Sequence, residues 1–201
     1  MRSKLQKLFM LWLMFISCVA CGESEMRSEV ADKSSLVKAA EWQIGKTIYY
    51  DPSYVALAYP KGDLPLEKGV CTDVVIRALR RACGLDLQQL VHQDMVAHFS
   101  AYPQRWGLRR PDRNIDHRRV PNLQTYFKRQ GWELDRRSGR SNYQPGDLVT
   151  CTVAGRLPHI MIVSGTSNKN GLLMVIHNIG GGTKLEDSLL KYPITGHYRV
   201  K

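Results

Sequence analysis

At Pro145-Gly146 the sequence changes from helix-like to strand-like patterning, and this change limits the folds that the chain can adopt. Before it, apolar residues recur at helical spacing, and the clearest stripe runs from Val74 to Ala82 and stops at Gly84. After it, short runs of branched and apolar residues are separated by turn signals, which is typical of a meander of strands. Helices followed by strands predict an α+β domain in which N-terminal helices pack on an antiparallel β-sheet.

The same patterns set bounds for the elements. A first helix is expected from about Ser35 to Gly45, and an ordered loop without long helices from Tyr49 to Glu67. The helix that stops at Gly84 begins close to Cys71. Further helices are predicted around 86–99 and 121–130, and strands at Asp147–Val153, His159–Ser164, Leu172–Asn178 and His197–Val200.

The N-terminus has the pattern of an export signal. Three basic residues precede an apolar run from Leu8 to Ala20, which is too short for an ordinary transmembrane helix. We predict a signal peptide at 1–20, a polar tether at 21–35, and a domain at 36–201. The end of the run resembles a bacterial lipobox, so we expect a periplasmic lipoprotein acylated at Cys21, with Cys18 as the alternative; cleavage without a lipid remains open.

The chain carries a formal net charge of +11, and its composition (43% hydrophobic, 23% charged) excludes a disordered protein. In an exported protein, a basic surface favours an anionic envelope component or lipid headgroup as partner over nucleic acid. A solvated arginine-rich face without a ligand is the alternative. The basic residues concentrate in the middle third of the chain: Arg105, Arg109, Arg110, Arg113, Arg118, Arg119, Lys128, Arg129, Arg136, Arg137 and Arg140.

The predicted domain contains three cysteines, Cys71, Cys83 and Cys151. If Cys71 and Cys83 lie on one helix they are about 18 Å apart, beyond the roughly 7 Å limit for a disulfide. At a helix start, unpaired N–H groups and the helix dipole favour the Cys71 thiolate and could receive an oxyanion. Asp73 opposes this unless it caps the helix or binds Arg77. Cys71 is therefore a candidate nucleophile, with an inert buried cysteine as the alternative.

Two histidines flank a predicted hairpin whose turn is centred on Asn168. This register pairs His159 with His177 across the strands, and a slip of one residue would substitute Asn178. Either partner could orient His159 as a base for a thiol. Satisfied core histidines, or a metal site joined by Cys151 or Asp147, are the alternatives. We predict no metal, because no ligand pair has the tight spacing of a structural zinc site. The histidines at 92, 98 and 117 are interpreted as structural.

Four segments resemble the NlpC-type cell-wall peptidases, a bacterial branch of the papain-like superfamily. They are the nucleophile helix (residues 69–75), the first central strand (145–149), the histidine strand (158–163) and the third polar position (His177 or Asn178). The chain more closely resembles the family named domain of unknown function 1287, from about Lys38 to Arg199. That match includes residues 116–122 and 177–180.

The resemblance implies a papain-like fold and a thiol-dependent amidohydrolase or peptidase that forms an acyl-enzyme. Cys71 would be the nucleophile and His159 the base, oriented by His177 or else by Asn178. A tyrosine before the helix, at position 50 or alternatively 54 or 59, would help to hold the oxyanion.

The expected substrate is an amide bond in peptidoglycan stem peptides, cleaved by a monomer without a metal or organic cofactor. One alternative is a hydrolase or acyltransferase of the same fold that acts on an acyl-lipid or another amide. The other is an envelope-binding lipoprotein without catalysis.

Overall fold

The structure is a computed structural model that describes residues 34–135 and 142–201 of the 201-residue chain. The predicted signal peptide, Cys18 and Cys21 lie outside these residues, as does nearly all of the predicted tether. Within the described ranges, no helix has the length and apolar character that a membrane span requires. The segment Ser34–Lys201 forms one compact unit.

All four α-helices of the described residues lie before Pro145-Gly146, as the patterning of that part of the chain predicts. Helix α1 covers residues 34–41 and continues into a turn that reaches Lys46. Helix α2 (Cys71–Cys83) ends as predicted, because Gly84 adopts a φ of 68° and its N–H donates to the Leu79 carbonyl. The helices that follow α1 are α2 (Cys71–Cys83), α3 (Leu87–His98) and α4 (Val120–Arg129).

Two short strands lie in the segment that the sequence predicts as a loop. Strands β1 (Tyr49–Tyr50) and β2 (Lys68–Gly69) pair in parallel. Strands of two residues leave no alternating pattern in a sequence, so only the pairing partner reveals them. Strand β2 comes directly before α2 in the chain, and its pairing with β1 places Tyr50 opposite Gly69, close to the start of α2.

The second half forms a five-stranded antiparallel sheet in the order β6-β5-β4-β3-β7, which confirms the predicted α+β class. The sequence patterning missed β6, because this edge strand is polar and short. It also placed the start of β7 about three residues too late. The strands are β3 (Leu148–Val153), β4 (Leu157–Ser167), β5 (Leu173–Asn178), β6 (Thr183–Glu186) and β7 (Ile194–Tyr198).

Both faces of the sheet are buried, by different parts of the chain. Alternate residues of β4, such as Ile160 and Ile162, join the core that the helices form, together with Val74 and Leu79 of α2. The intervening residues, such as Met161, join a second cluster on the opposite face. The strand alternation therefore assigns each side chain of β4 to one face or the other, and this governs the geometry of the histidines described below.

Candidate functional site

Cys71 is the first residue of α2 and is buried at the end of strand β5. The side-chain amide of Asn178, the last residue of β5, donates a hydrogen bond of 3.0 Å to the Gly69 carbonyl. The backbone amides of Ile160 and Thr72 interact with the Cys71 sulfur. The start of the helix is thus held against β4 at the point where its neighbour β5 ends.

Asp73 caps the helix, as one of the two sequence-based alternatives proposes. Its Oδ2 accepts the Val70 N–H at 2.6 Å. The other alternative, a bond to Arg77, is wrong, because Arg77 forms its ion pair with Asp63. Asp73 instead binds Arg118 through two hydrogen bonds of 3.0 Å in a buried pair.

The Cys71 sulfur is a thiol in the resting protein. Its pKa is raised to about 12, mainly by burial and in part by the Asp73 carboxylate, while the amides of Ile160 and Thr72 act in the opposite direction. The expectation that the helix start favours a thiolate is therefore wrong for the free protein. Desolvation outweighs the helix terminus because the side chain is only 4% exposed.

His159 and His177 are hydrogen-bonded to each other, with 2.7 Å between Nε2 of His159 and Nδ1 of His177. The predicted direct pairing is nevertheless wrong. Strands β4 and β5 pair Ile162 with Ile176, which moves the register by two residues and places the histidines on a diagonal. A shift of two leaves both imidazoles on the same face of the sheet, so they still meet.

Glu186 and Ser188 complete a chain of hydrogen bonds that the sequence patterning did not reveal. Nε2 of His177 lies 2.9 Å from the Glu186 carboxylate and 3.2 Å from the Ser188 hydroxyl. A carboxylate only accepts, so His177 carries its proton on Nε2 and presents a bare Nδ1. His159 must then donate from Nε2, which leaves its own Nδ1 as the nitrogen with a free lone pair.

Both imidazoles are neutral in the buried site. Burial, with a smaller contribution from the neighbouring His177, lowers the pKa of His159 to about 3. Burial also lowers the pKa of His177, although Glu186 acts in the opposite direction. A neutral His159 with a bare Nδ1 has the protonation state of a general base.

The position of His159 relative to Cys71 follows from its neighbours. Pro158 lines the same pocket as Cys71, and the Ile160 amide interacts with the sulfur. His159 lies between these two residues. Cys151, which pairs with His159 across β3 and β4, is close enough for its charge to raise the Cys71 pKa. The backbone of His159 is therefore adjacent to the sulfur, but its imidazole lies on the sheet face that carries Cys151 and Met161, whereas Cys71 belongs to the core on the helix-facing side. The predicted meeting of the Cys71 and His159 side chains is thus not present in the structure.

Asn178 and the tyrosines have distinct positions. Asn178 lies on the helix-facing side of β5 and holds the start of α2, so it does not contact the imidazole pair. Tyr50 and Cys71 line one pocket, and burial, followed by the Cys71 charge, raises the Tyr50 pKa to about 12. The other two candidates lie elsewhere: Tyr54 bonds to Asp112, and the Tyr59 ring packs against His92.

The remaining candidate ligands are engaged in separate contacts. Asp147 binds His197 at 2.7 Å and also Arg199, rather than joining the imidazole pair. Across the described residues, no three His, Cys, Asp or Glu side chains are grouped as a metal site would need. Cys71, Cys83 and Cys151 are not joined to one another by a disulfide.

The basic cluster is less extensive on the surface than the sequence suggests. Arg118 is buried against Asp73, and Arg119 and Arg129 pair with Asp116 and Asp94. The residues at 136, 137 and 140 lie outside the described part of the chain. The predicted arginine-rich face is therefore wrong for Arg118, whose guanidinium stabilises the site from within.

Comparison with known proteins identifies one family and one close relative. The family described as Domain of unknown function (DUF1287) matches residues 37–200. A protein of Escherichia coli strain K12, named Uncharacterized protein YijF, is 51% identical over 165 residues, which cover 82% of this chain and 80% of the relative. The match includes Cys71, His159 and His177, so the whole site lies within the family domain.

Proposed function

Because the chain belongs to the DUF1287 family, whose function its name leaves open, we propose from the site itself that the protein is a cysteine hydrolase with a papain-like fold of the NlpC type. The observation that supports this most is the 2.7 Å hydrogen bond between the buried imidazoles of His159 on β4 and His177 on β5, next to the Ile160 amide that touches the Cys71 sulfur. Burying two imidazoles lowers the stability of a protein unless their nitrogens are hydrogen-bonded. Here the hydrogen bonds extend from His159 through His177 to Glu186.

The proposed reaction uses the free lone pair of His159. The proposed step requires the His159 ring to turn toward the helix-facing side from the face that carries Cys151. Nδ1 of His159 then takes the proton from the Cys71 sulfur as the sulfur attacks an amide carbonyl. The tetrahedral oxyanion is stabilised by backbone N–H groups at the start of α2 and by the Tyr50 hydroxyl. His159 then gives the proton to the leaving amine, which leaves a thioester on Cys71. A water molecule activated by His159 hydrolyses the thioester and regenerates the thiol.

The resting protonation state argues for a general-base mechanism over a preformed ion pair. A thiol with a pKa of about 12 does not lose its proton to an imidazole with a pKa of about 3. Transfer then accompanies attack on the carbonyl. His177 is a positioning residue in this scheme, since it acts only through His159.

The proposed substrate is an amide bond in peptidoglycan stem peptides, such as a γ-D-glutamyl bond. The proposed location is the periplasm, with the membrane reached through an N-terminal lipid on Cys21 or Cys18. No cofactor, metal or nucleic acid takes part, and the protein acts as a monomer. These proposals rest on the export pattern of the sequence and on the resemblance to cell-wall peptidases.

The test is incubation of the purified protein with defined muropeptides, followed by mass spectrometry for newly exposed amines. We expect amine release by the unaltered protein and none by Cys71→Ala. The matched control is Cys151→Ala, which removes a buried thiol from the strand that pairs with His159. Equal activity in Cys71→Ala and the unaltered protein would refute the proposal. Activity on acylated lipids instead of muropeptides would support the alternative substrate with the same residues.

A non-catalytic envelope-binding lipoprotein is the second candidate, and the raised Cys71 pKa favours it. A buried thiol that resists ionisation behaves as an inert core residue. Labelling with iodoacetamide at neutral pH separates the two. Selective alkylation of Cys71 that is lost in His159→Ala supports the hydrolase. Equal, slow labelling of Cys71, Cys83 and Cys151 supports the binding protein.

A further inference from the structure

The pocket that contains Cys71 has a one-sided charge. It has a volume of about 270 Å³, at the lower end of the range for small-ligand sites, and thus fits a group of about amino-acid size. Its charged lining side chains are three arginines, Arg105, Arg118 and Arg119. No carboxylate belongs to the described residues of this lining. The other lining residues are apolar or aromatic, apart from Cys71.

One of the three arginines is already satisfied by the protein. Arg118 donates to the Asp73 carboxylate and to the carbonyl oxygens of Asp51 and Ser53, and its side chain is only 2% exposed. Its charge is balanced by the buried Asp73 carboxylate. It therefore shapes the pocket wall and contributes little net attraction for a ligand.

The other two arginines converge on Trp106. The Arg119 guanidinium lies 4.2 Å from the centre of the indole ring, and that of Arg105 lies 6.0 Å from it. Arg119 bonds to the buried Asp116 through Nη1, which fixes its direction. Arg105 is exposed and forms no ion pair with any carboxylate that the structure describes. Two cations contact Trp106, and only Arg119 is paired with a carboxylate, so an excess positive charge remains beside Cys71.

We propose that Arg105, Trp106 and Arg119 form a carboxylate-binding subsite, and that the substrate carries a free carboxylate within about one residue of the acyl group that Cys71 attacks. This inference rests on the proposed hydrolase function for the identity of the acyl group. The planar guanidinium of Arg105 offers two parallel N–H donors to a carboxylate. Trp106 supports the apolar part of the same substrate residue, and Arg119, whose guanidinium also contacts the Trp106 ring, adds positive charge.

The test is an NMR titration of the full-length chain, followed through the indole N–H resonance of Trp106. The two probes are N-acetylglycine and its primary amide. They differ only at the C-terminal group of the glycine, which is a carboxylate in the first and a neutral carboxamide in the second. We expect the acid to saturate the shift at about two- to fivefold lower concentration than the amide, the size expected for a partly screened charge pair. The difference should shrink when salt is added.

The deciding variants are Arg105→Gln and Arg109→Gln. Both remove one exposed arginine from the same loop, but only Arg105 lines the pocket. We expect Arg105→Gln to abolish the preference for the acid and Arg109→Gln to retain it. Equal binding of acid and amide by the unaltered protein, or equal effects of the two variants, would overturn the proposal. Tighter binding of inorganic phosphate than of N-acetylglycine would also overturn it, since the site would then select phosphate.

The titration needs no turnover, so its outcome is separate from that of the hydrolase proposal. Hydrolysis that depends on Cys71, without any preference for the acid in the titration, would refute the subsite proposal and support the hydrolase proposal. A clear preference for the acid together with unaltered activity in Cys71→Ala would support the carboxylate-binding subsite and refute the hydrolase proposal.

Discussion

Burial sets the protonation state of the residues around Cys71. The thiol keeps its proton and His159 remains neutral, although a helix terminus and a hydrogen-bonded partner are present. Glu186 then determines where the imidazole protons lie. Its carboxylate accepts from His177, His177 accepts from His159, and the bare Nδ1 of His159 results. A single residue on the edge strand β6 thus sets the tautomers of two rings.

Replacing Glu186 tests this chain directly. Glu186→Leu removes the acceptor, so we expect kcat to fall about 10- to 100-fold with little change in KM, the effect of losing one hydrogen bond to a charged group. Glu186→Gln keeps an acceptor oxygen and should retain most of the activity. Nitrogen NMR of labelled histidine should show one protonated and one bare nitrogen on His159 in the unaltered protein and in Glu186→Gln. A mixture of tautomers in all three proteins would contradict the role of Glu186.

The start of α2 is positioned by long-range contacts. Asp73 satisfies the Val70 amide and pairs with Arg118, which also binds the carbonyl oxygens of the loop that follows β1. Asn178 connects the segment that precedes α2 to the end of β5. The pair Asp73–Arg118 therefore joins three parts of the chain at the wall of the pocket. The sequence patterning located the helix and Cys71, but these partners are 45 or more residues distant along the chain, so local spacing could not reveal them.

Breaking that pair should be costly. Arg118→Leu leaves the Asp73 carboxylate buried without its partner, and we expect the free energy of unfolding to fall by about 3–5 kcal/mol in urea denaturation. The control is Lys128→Ala, which removes an exposed ion pair with Glu133 and should cost about 0–1 kcal/mol. The double variant Asp73→Leu/Arg118→Leu should recover part of the loss. Equal losses in Arg118→Leu and Lys128→Ala would contradict this account.

At the scale of the whole domain, the sequence predicted the order of helices and sheet because each half has a distinct periodicity. The same alternation brought His159 and His177 to one face, although the register was wrong by two residues. Ser167 pairs with Leu173, so the turn is centred near Asn170 rather than Asn168, and the irregularity between Val163 and Ser167 then removes half of this displacement. A bulge of this kind depends on contacts across the strands and leaves no mark in the local pattern. For the same reason Glu186 could not be assigned from the sequence.

The buried neutral histidines predict how stability depends on pH. His117 and His159 both have a pKa of about 3 in the folded protein, against the ordinary value of 6.5, mainly because of burial. The unfolded chain takes up these protons as pH falls below about 6.5, and the folded protein does so only near pH 3. The free energy of unfolding should therefore decrease with falling pH in this window, by about 1.4 kcal/mol per pH unit for each histidine.

Urea denaturation between pH 7 and pH 4 checks this slope. We expect His117→Leu to reduce this slope by about one proton. A slope that is the same in His117→Leu and in the unaltered protein would show that His117 does not titrate as its burial requires.

The most direct test of the central claim is the rate of amine release from a muropeptide by Cys71→Ala, His159→Ala and the double variant. When two residues act as one catalytic unit, removing either one lowers the rate about as much as removing both. The account predicts that each single substitution lowers the rate to the same background as the double variant, while Cys151→Ala keeps the rate of the unaltered protein within a few-fold. Hydrolysis by His159→Ala at the unaltered rate, still dependent on Cys71, would contradict it.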